Sequence, residues 1–250
     1  MVSRAVTRRM FPGLAADSYE RYRPGYPDEV VERTLRYAGR PVRSALEIDA
    51  GTGKATHAFA SRGVSVTALE PDAELCTVLR RETAGLDIVP VRATFESFRS
   101  EAGFDLLFSA AAWPAARSAS RSARAAGLLS PGGTLALFGA PLRIADERLR
   151  VDAEEASRLG SPGEEPEGRD GGRVDWPVPS TQQFTDVEQQ VVRRQILLTV
   201  QEYVGYLSTL STFLRLAVWD REKVLRAVAE VLPAELLVDA SVHLHLARRR

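Results

Sequence analysis

The sequence predicts an α/β protein built on a parallel sheet. Three observations carry that reading. Short apolar segments recur along the first 141 residues, helical patterns separate them, and the first of these segments runs into a glycine turn that opens a helix. The 250 residues are 44% hydrophobic and 26% charged, an ordinary globular balance and enough for one sizeable domain with an accessory lobe.

The elements follow in order. Residues 11–39 read as helical but are broken at "RPGYP". Pro27 suits the first position of a second helix, Asp28 and Glu29 its first turn, Val31 and Leu35 its apolar stripe, and Gly39 its end. Strands are expected at 44–50, 64–70, 86–92 and 104–110, with a fifth at 133–141 after the turn "SPGG". Residues 159–175 are rich in Gly, Pro and acids and lack periodicity, which marks a flexible surface loop or lid segment. "VEQQVVRRQILLTV" reads as a strand leading into a helix over "QEYVGYLSTLSTFL". Asp220 is placed to cap a helix over "REKVLRAVAEVL" that Pro233 ends, and "LLVDASVHLHLARR" alternates like a half-buried strand. No internal repeat and no second core are evident, so the chain reads as one domain.

Composition narrows the partners. Net charge is zero, so no global field draws in nucleic acid or an anionic membrane. No apolar run reaches the roughly 20 residues that span a bilayer. The basic N-terminus lacks an apolar core of the secretory kind. Cys76 is the one cysteine, which excludes an internal disulfide and fits a reducing compartment; the expected location is cytoplasmic.

The informative stretch is "LEIDAGTGKATHAF", residues 46–59. In an open parallel sheet, ligands bind at the carboxyl ends of the strands where strand order reverses, and the first strand commonly lies there. "GTG" lets the backbone pass close to a ligand and aims helix N–H groups at it. Glu70 ends the second strand, 19 residues after Gly51, a spacing that suits an acid accepting both hydroxyls of a ribose. An adenosine-containing ligand is implied. A Walker A loop fails, because Ala55 follows Lys54 and Ile48 holds an upstream glycine position. A dinucleotide fingerprint is weak, because Thr56 replaces its third glycine. A tight turn with no ligand is the remaining alternative.

The pattern Glu47, Asp49, Gly51, Gly53 resembles motif I of class I S-adenosylmethionine (SAM) methyltransferases. "FPGLAADSYERYRPGYP" looks like the N-terminal lid of the small-molecule members, "FDLLFSAAAW" like their strand-four motif, and "ARAAGLLSPGGTLALF" like their helix, turn and strand five. "EYVGYLSTLS" and "LHLARR" resemble their closing elements, so the similarity covers almost the whole chain. It implies a Rossmann-like, seven-stranded, mostly parallel sheet with helices on both faces and an antiparallel last strand. Within one domain, 1–250, it implies a helical lid (1–40), a cofactor-binding half (41–141), a flexible loop or cap (142–183) and C-terminal strands and helices (184–250).

Carried over residue by residue, the resemblance gives Glu47 and the turn Asp49, Ala50, Gly51, Thr52, Gly53 to the methionine part of SAM. Glu70 falls to the ribose, Pro71 beside the adenine, Thr94 and Phe95 around it, and Ser109 and Ala110 beneath the sulfonium. Tyr22 and Arg23 would close over the cofactor, Arg23 meeting its carboxylate. Trp113, Trp176, Tyr203, Tyr206 and Phe213 fall in segments that would cover the reactive end, either as a pocket for an apolar or aromatic substrate or as ordinary core.

Two departures stand out. Asp49 replaces the first glycine, adding bulk and negative charge where the ligand carries an ammonium and a sulfonium. Pro114 and Ala115 follow Trp113, where related enzymes often carry a histidine, so no general base is visible. His243 and His245 share a strand face without a third metal ligand nearby, and His57 reads as a packing or surface residue. The expected activity is SAM-dependent methyl transfer to a small molecule, with secondary metabolism as the expected setting, by proximity and orientation. The alternatives are a repurposed cyclase or isomerase on the same fold, or a non-catalytic SAM-binding protein.

Overall fold

The computed structural model describes residues 14–110, 113, 118–158 and 182–250. These residues divide into two compact units. The larger comprises Gly25–Ala140 and Val242–Arg250 with the described part of the segment that ends at Val192; the smaller comprises the described residues up to Pro24, those from Pro141 to Arg158, and Arg193–Ser241.

The larger unit is a seven-stranded sheet. Its strands are β1 (Ser44–Ile48), β2 (Ser65–Leu69), β3 (Ile88–Val91), β4 (Phe104–Ala110), β5 (Leu129–Gly139), β7 (Phe184–Val192) and β10 (Val242–Arg249), in the order β3-β2-β1-β4-β5-β10-β7. β3, β2, β1, β4 and β5 run parallel, and β10 lies antiparallel between β5 and β7. The antiparallel last strand matches the expectation. Pro90 in β3 is tolerated because β3 is an edge strand, where a missing N–H leaves no ladder bond unmade.

Helices α2 (Asp28–Ala38), α3 (Lys54–Ala60), α4 (Ala73–Glu82) and α5 (Ser118–Leu128) complete this unit. Two apolar layers sandwich the sheet. One gathers Val30, Val31 and Phe59 against Phe108, Phe138 and Leu244; the other gathers Phe95, Trp113 and Ala125 against Leu46, Leu107 and Leu137. β1 is buried at every position after Ser44, as a central parallel strand covered on both faces must be. Pro27 sits one residue outside α2, at the cap (φ −65°), and Gly39 closes the helix in the left-handed region at φ 66°.

The smaller unit has a core of its own, which the sequence reading lacked. A three-stranded antiparallel sheet, β6 (Arg143–Ile144), β9 (Glu235–Asp239) and β8 (Gln195–Thr199), packs Val238 and Leu236 against Val224 and Val228 of α9 (Val218–Val231). α6 (Glu147–Arg158), α7 (Val200–Ser208), the single turn α8 (Ser211–Leu214) and α1 (Leu14–Tyr22) complete it. Thr199 and Glu202 form a capping box that starts α7.

Several expectations need correction. Residues 142–183 are not all loop, since β6 and α6 lie within them; 159–181 fall outside the described residues. The single strand expected at "VEQQVVRRQILLTV" is two strands of different sheets, β7 and β8. The closing strand is likewise split into β9 and β10, where the Asp239 side chain accepts the Ser241 N–H at 2.9 Å in a local turn. α9 begins at Val218 with Ala217 as its cap, so Asp220 lies in its first turn, favourable to the helix dipole, rather than capping it. β5 starts before "SPGG" and bulges over it, Phe104 pairing with Leu129 while Leu106 pairs with Thr134. No helix among the described residues is long and apolar enough to cross a membrane.

Candidate functional site

β1 is the strand at which chain order reverses, with β2 and β3 on one side and β4 and β5 on the other. The ends of β1, β2 and β4 bring Asp49, Glu70 and Ser109 to the carboxyl edge of the same parallel sheet.

The turn after β1 is built by three backbone bonds. Ala50 N–H donates to Leu69 O at 2.8 Å, prolonging the β1–β2 ladder. Gly53 N–H donates to Ala50 O at 3.1 Å, and His57 N–H to Gly53 O at 2.8 Å, which begins α3. Asp49, Gly51 and Gly53 all carry positive φ, at 53°, 64° and 95°. Asp49 therefore takes up the left-handed torsion that suits a glycine, and aspartate is among the few residues that tolerate it. At Gly53 a side chain would add crowding to that torsion: a Cβ would lie 2.6 Å from Leu79 Cδ1 and 3.0 Å from Thr83 Cγ2, so that these side chains would have to shift.

Three carboxylates gather here. Glu70 is fully buried; its Oε2 accepts Gly51 N–H at 2.7 Å and its Oε1 accepts Asp72 N–H at 2.9 Å. Glu47 is 1% exposed and accepts the Thr56 hydroxyl through Oε2. Burial pushes its carboxyl up to about 8, against the Thr56 hydrogen bond, with the charges of Glu70 and Asp49 adding to the rise. Asp49 is half-buried. Within the turn, Thr52 is 1% exposed and its hydroxyl has no hydrogen-bond partner among the described residues. A buried unsatisfied hydroxyl is uncommon and costly, and this one suits a polar ligand at the turn. Buried acceptors, open-torsion backbone and an unsatisfied hydroxyl fit the polar, cationic, ribose-bearing cofactor implied by the sequence.

The other expected residues separate. Ser109 is buried and donates to Ile48 O at 3.3 Å; Ala110 and Pro71 are half-buried. Thr94 forms a tight turn with Ser97, whose N–H donates to Thr94 Oγ1 at 3.2 Å. Phe95 and Trp113 pack in the core with ring centroids 5.9 Å apart, the Arg121 guanidinium against both rings. Trp176 lies outside the described residues. Tyr22, Arg23, Tyr203, Tyr206 and Phe213 belong to the smaller unit. There Arg23 Nε donates to Thr209 Oγ1 at 2.7 Å and its guanidinium lies over the Tyr19 and Tyr206 rings. Tyr206 accepts Leu142 N–H at 3.2 Å, and burial raises the Tyr203 phenol above its usual range. Both tyrosines are core residues of that unit.

Two contributors went unread in the sequence. Thr56, noted only as a missing glycine, is the donor to Glu47. Asp72 supplies a backbone donor to Glu70 and caps α4 with its side chain, accepting Glu74 and Leu75 N–H. An aspartate two residues after the strand-end acid, directly before a helix, was the available signal.

Comparison with known proteins agrees with this geometry. A family model described as a methyltransferase domain matches residues 46–137. An uncharacterized methyltransferase of Mycobacterium tuberculosis (strain H37Rv) is 33% identical over 221 residues, 88% of this chain and 84% of that protein, and one from Mycobacterium bovis matches equally. Among solved structures, a putative type II methyltransferase from Anaeromyxobacter dehalogenans superposes with a TM-score of 0.54 at 18% identity, over 91% of this chain and 97% of that one. A phosphoethanolamine N-methyltransferase of Haemonchus contortus gives 0.56 at 15% identity, over 99% of this chain and 60% of its own.

Proposed function

The chain belongs to the class I SAM-dependent methyltransferase family, and on that premise we propose that it transfers the methyl group of SAM to a nucleophile on a small molecule. The observation that carries the reading is the turn at residues 49–53, with its three positive torsions and its tie from Gly51 to Glu70.

Bound there, SAM supplies a methyl group made electrophilic by a positively charged sulfur. Glu70 takes the ribose hydroxyls, since each carboxylate oxygen can accept more than one donor. The turn from Asp49 to Gly53, with the Thr52 hydroxyl, holds the methionine part, and Glu47 beneath it keeps the turn in place through Thr56. Pro71 and Thr94 would flank the adenine, and Ser109 and Ala110, at the end of β4, would lie beneath the sulfur. The chain's contribution would be orientation, holding the methyl donor against a substrate nucleophile that is deprotonated or readily becomes so. A zero net charge favours a small molecule over nucleic acid as the acceptor, and the single cysteine favours a reducing, cytoplasmic setting.

The test is titration calorimetry of the purified protein with SAM and with S-adenosylhomocysteine, followed by incubation with candidate small molecules while S-adenosylhomocysteine is quantified. Micromolar binding and substrate-dependent turnover are the expected results. Absence of binding by either ligand overturns the reading. Product of unchanged mass with SAM intact would make this a repurposed enzyme, and binding without turnover of any substrate would make it a SAM-binding protein without catalysis.

A further inference from the structure

Arg23 carries a charge that no carboxylate among the described residues answers. Arg150 of the same unit, by contrast, lies against both Glu147 and Glu154. The contacts of Arg23 are all neutral. Its Nε donates to Thr209 Oγ1 at 2.7 Å and its Nη2 to Thr209 O at 3.2 Å, while the Tyr19 and Tyr206 ring centroids lie 5.1 and 4.9 Å from the guanidinium carbon. The Thr209 hydroxyl donates its own proton to Tyr206 O at 2.7 Å, so it meets Arg23 as an acceptor. Ordering an arginine in this way costs side-chain entropy, which the two hydrogen bonds and two ring contacts offset. What remains is the far edge of the fork. The Nη1 N–H groups and one N–H of Nη2 have no acceptor among the described residues, and Arg23 is half-buried rather than sealed. Parallel N–H groups on one edge match the two oxygens of a carboxylate. A phosphate dianion would ask for a second cation, and the contacts of Arg23 include none.

We propose that Arg23 binds a carboxylate of the methyl acceptor, which makes the substrate an acidic small molecule. The inference rests on the proposed function above and names its substrate class. The resemblance in sequence gave Arg23 to the carboxylate of SAM instead. Every group that fixes the guanidinium, however, belongs to the smaller unit, and Tyr206 is one of the residues expected to line the acceptor's pocket. Thr209 is a positioning residue in this reading, because it sets the guanidinium and acts through it.

The experiment first titrates native protein with benzoate and with benzamide, an uncharged molecule of similar shape. The side-chain Nε–H resonance of Arg23 is followed by NMR, identified as the signal missing from Arg23→Lys. The expected result is a saturable shift with benzoate alone, its affinity weakened about tenfold or more in Thr209→Val. Equal responses to benzoate and benzamide, or none to either, overturn the carboxylate site. Calorimetry then compares SAM with decarboxylated SAM in native protein and Arg23→Gln, thermal melts having established that the variants are folded. Equal SAM binding by the two proteins is expected. Weaker SAM binding by Arg23→Gln, with decarboxylated SAM unaffected, would put the cofactor's carboxylate at Arg23 and overturn the assignment to the acceptor. Matched free acids and their methyl esters are finally incubated with protein and SAM. The acids alone should yield S-adenosylhomocysteine, and turnover of the esters in preference overturns the acidic acceptor. Failure of native protein to bind SAM overturns the methyltransferase reading and the acceptor assignment with it, while the benzoate titration still decides the carboxylate site.

Discussion

The Gly51 N–H donates to Glu70 Oε2 at 2.7 Å, which fastens the turn after β1 to the acid that ends β2. The other oxygen accepts Asp72 N–H, so this carboxylate organises two loops. Glu70→Gln preserves the shape but has only one oxygen, so its amide must point N–H groups at a backbone donor. Leaving a buried donor unsatisfied costs about 1–3 kcal/mol. The variant is expected to unfold at lower urea concentration by that amount and to bind SAM at least about tenfold more weakly. Unchanged stability and affinity would remove Glu70 from both roles.

Glu47 predicts a pH dependence. Its carboxyl titrates near 8 in the folded protein, raised from 4.5 by burial first. Below pH 4.5 the group is protonated in folded and unfolded chain alike, and its contribution is fully present. Between 4.5 and 8 the unfolded chain has released the proton that the folded chain keeps, so stability falls as pH rises, by at most about 1.4 kcal/mol per pH unit. Above 8 the slope from this group ends. Urea unfolding from pH 5 to 9 should show this decline in native protein and a shallower one in Glu47→Gln. Identical pH profiles would show that Glu47 is ionised in the fold.

The same group ties binding to protons. In the proposed complex SAM would bring positive charge to a turn where burial raises the Glu47 carboxyl to about 8, and a nearby cation favours the carboxylate. Binding should therefore release a fraction of a proton, read as a dependence of calorimetric enthalpy on the ionisation enthalpy of the buffer at pH 7. Glu47→Gln should abolish that dependence. A buffer-independent enthalpy in native protein would contradict the coupling.

How much of this was legible in the sequence depended on whether the signal was local. The glycine turn, Glu70 and the five parallel strands were readable because spacing along the chain fixes them. The second core was not. β8 and β9 look like continuations of β7 and β10 until Arg193 and Ala240, and only pairing between residues some 40 positions apart puts Leu198 against Leu236 in a separate sheet. Phe95 and Trp113 show the same limit: an aromatic after a strand reads alike whether it faces a ligand or a core. Thr56 escaped because a missing glycine drew attention away from the hydroxyl that replaced it.

Inside the smaller unit, Gly205 of α7 lies against Tyr22. A Cβ there would come within 2.5 Å of the Tyr22 ring, which cannot bend away as a flexible chain end could. Alanine gains about 1 kcal/mol of helix propensity over glycine, whereas overpacking against a rigid ring costs about 1–3 kcal/mol. Gly205→Ala should therefore destabilise, and Tyr22→Ala/Gly205→Ala should lose less than the sum of the single changes. Strict additivity in urea unfolding would mean that the two residues do not meet.

Asp49 and Gly53 make opposite predictions about glycine at positive φ. Asp49 bears a side chain at 53° at a half-buried position, so Asp49→Gly removes torsional strain while it frees the unfolded chain. A stabilisation of up to about 1 kcal/mol is expected from the first effect, reduced by the second. Gly53 sits at 95° with Leu79 and Thr83 where a Cβ would go, and Leu79 is fully buried. Gly53→Ala meets left-handed strain of about 1–2 kcal/mol together with overpacking of similar size. It should lose about 2–4 kcal/mol, with Leu79→Ala in the same chain restoring only the steric part. Were Gly53→Ala to unfold like native protein, the close packing of α4 on the turn would be wrong, and the position of Glu70 above it would have to be reconsidered.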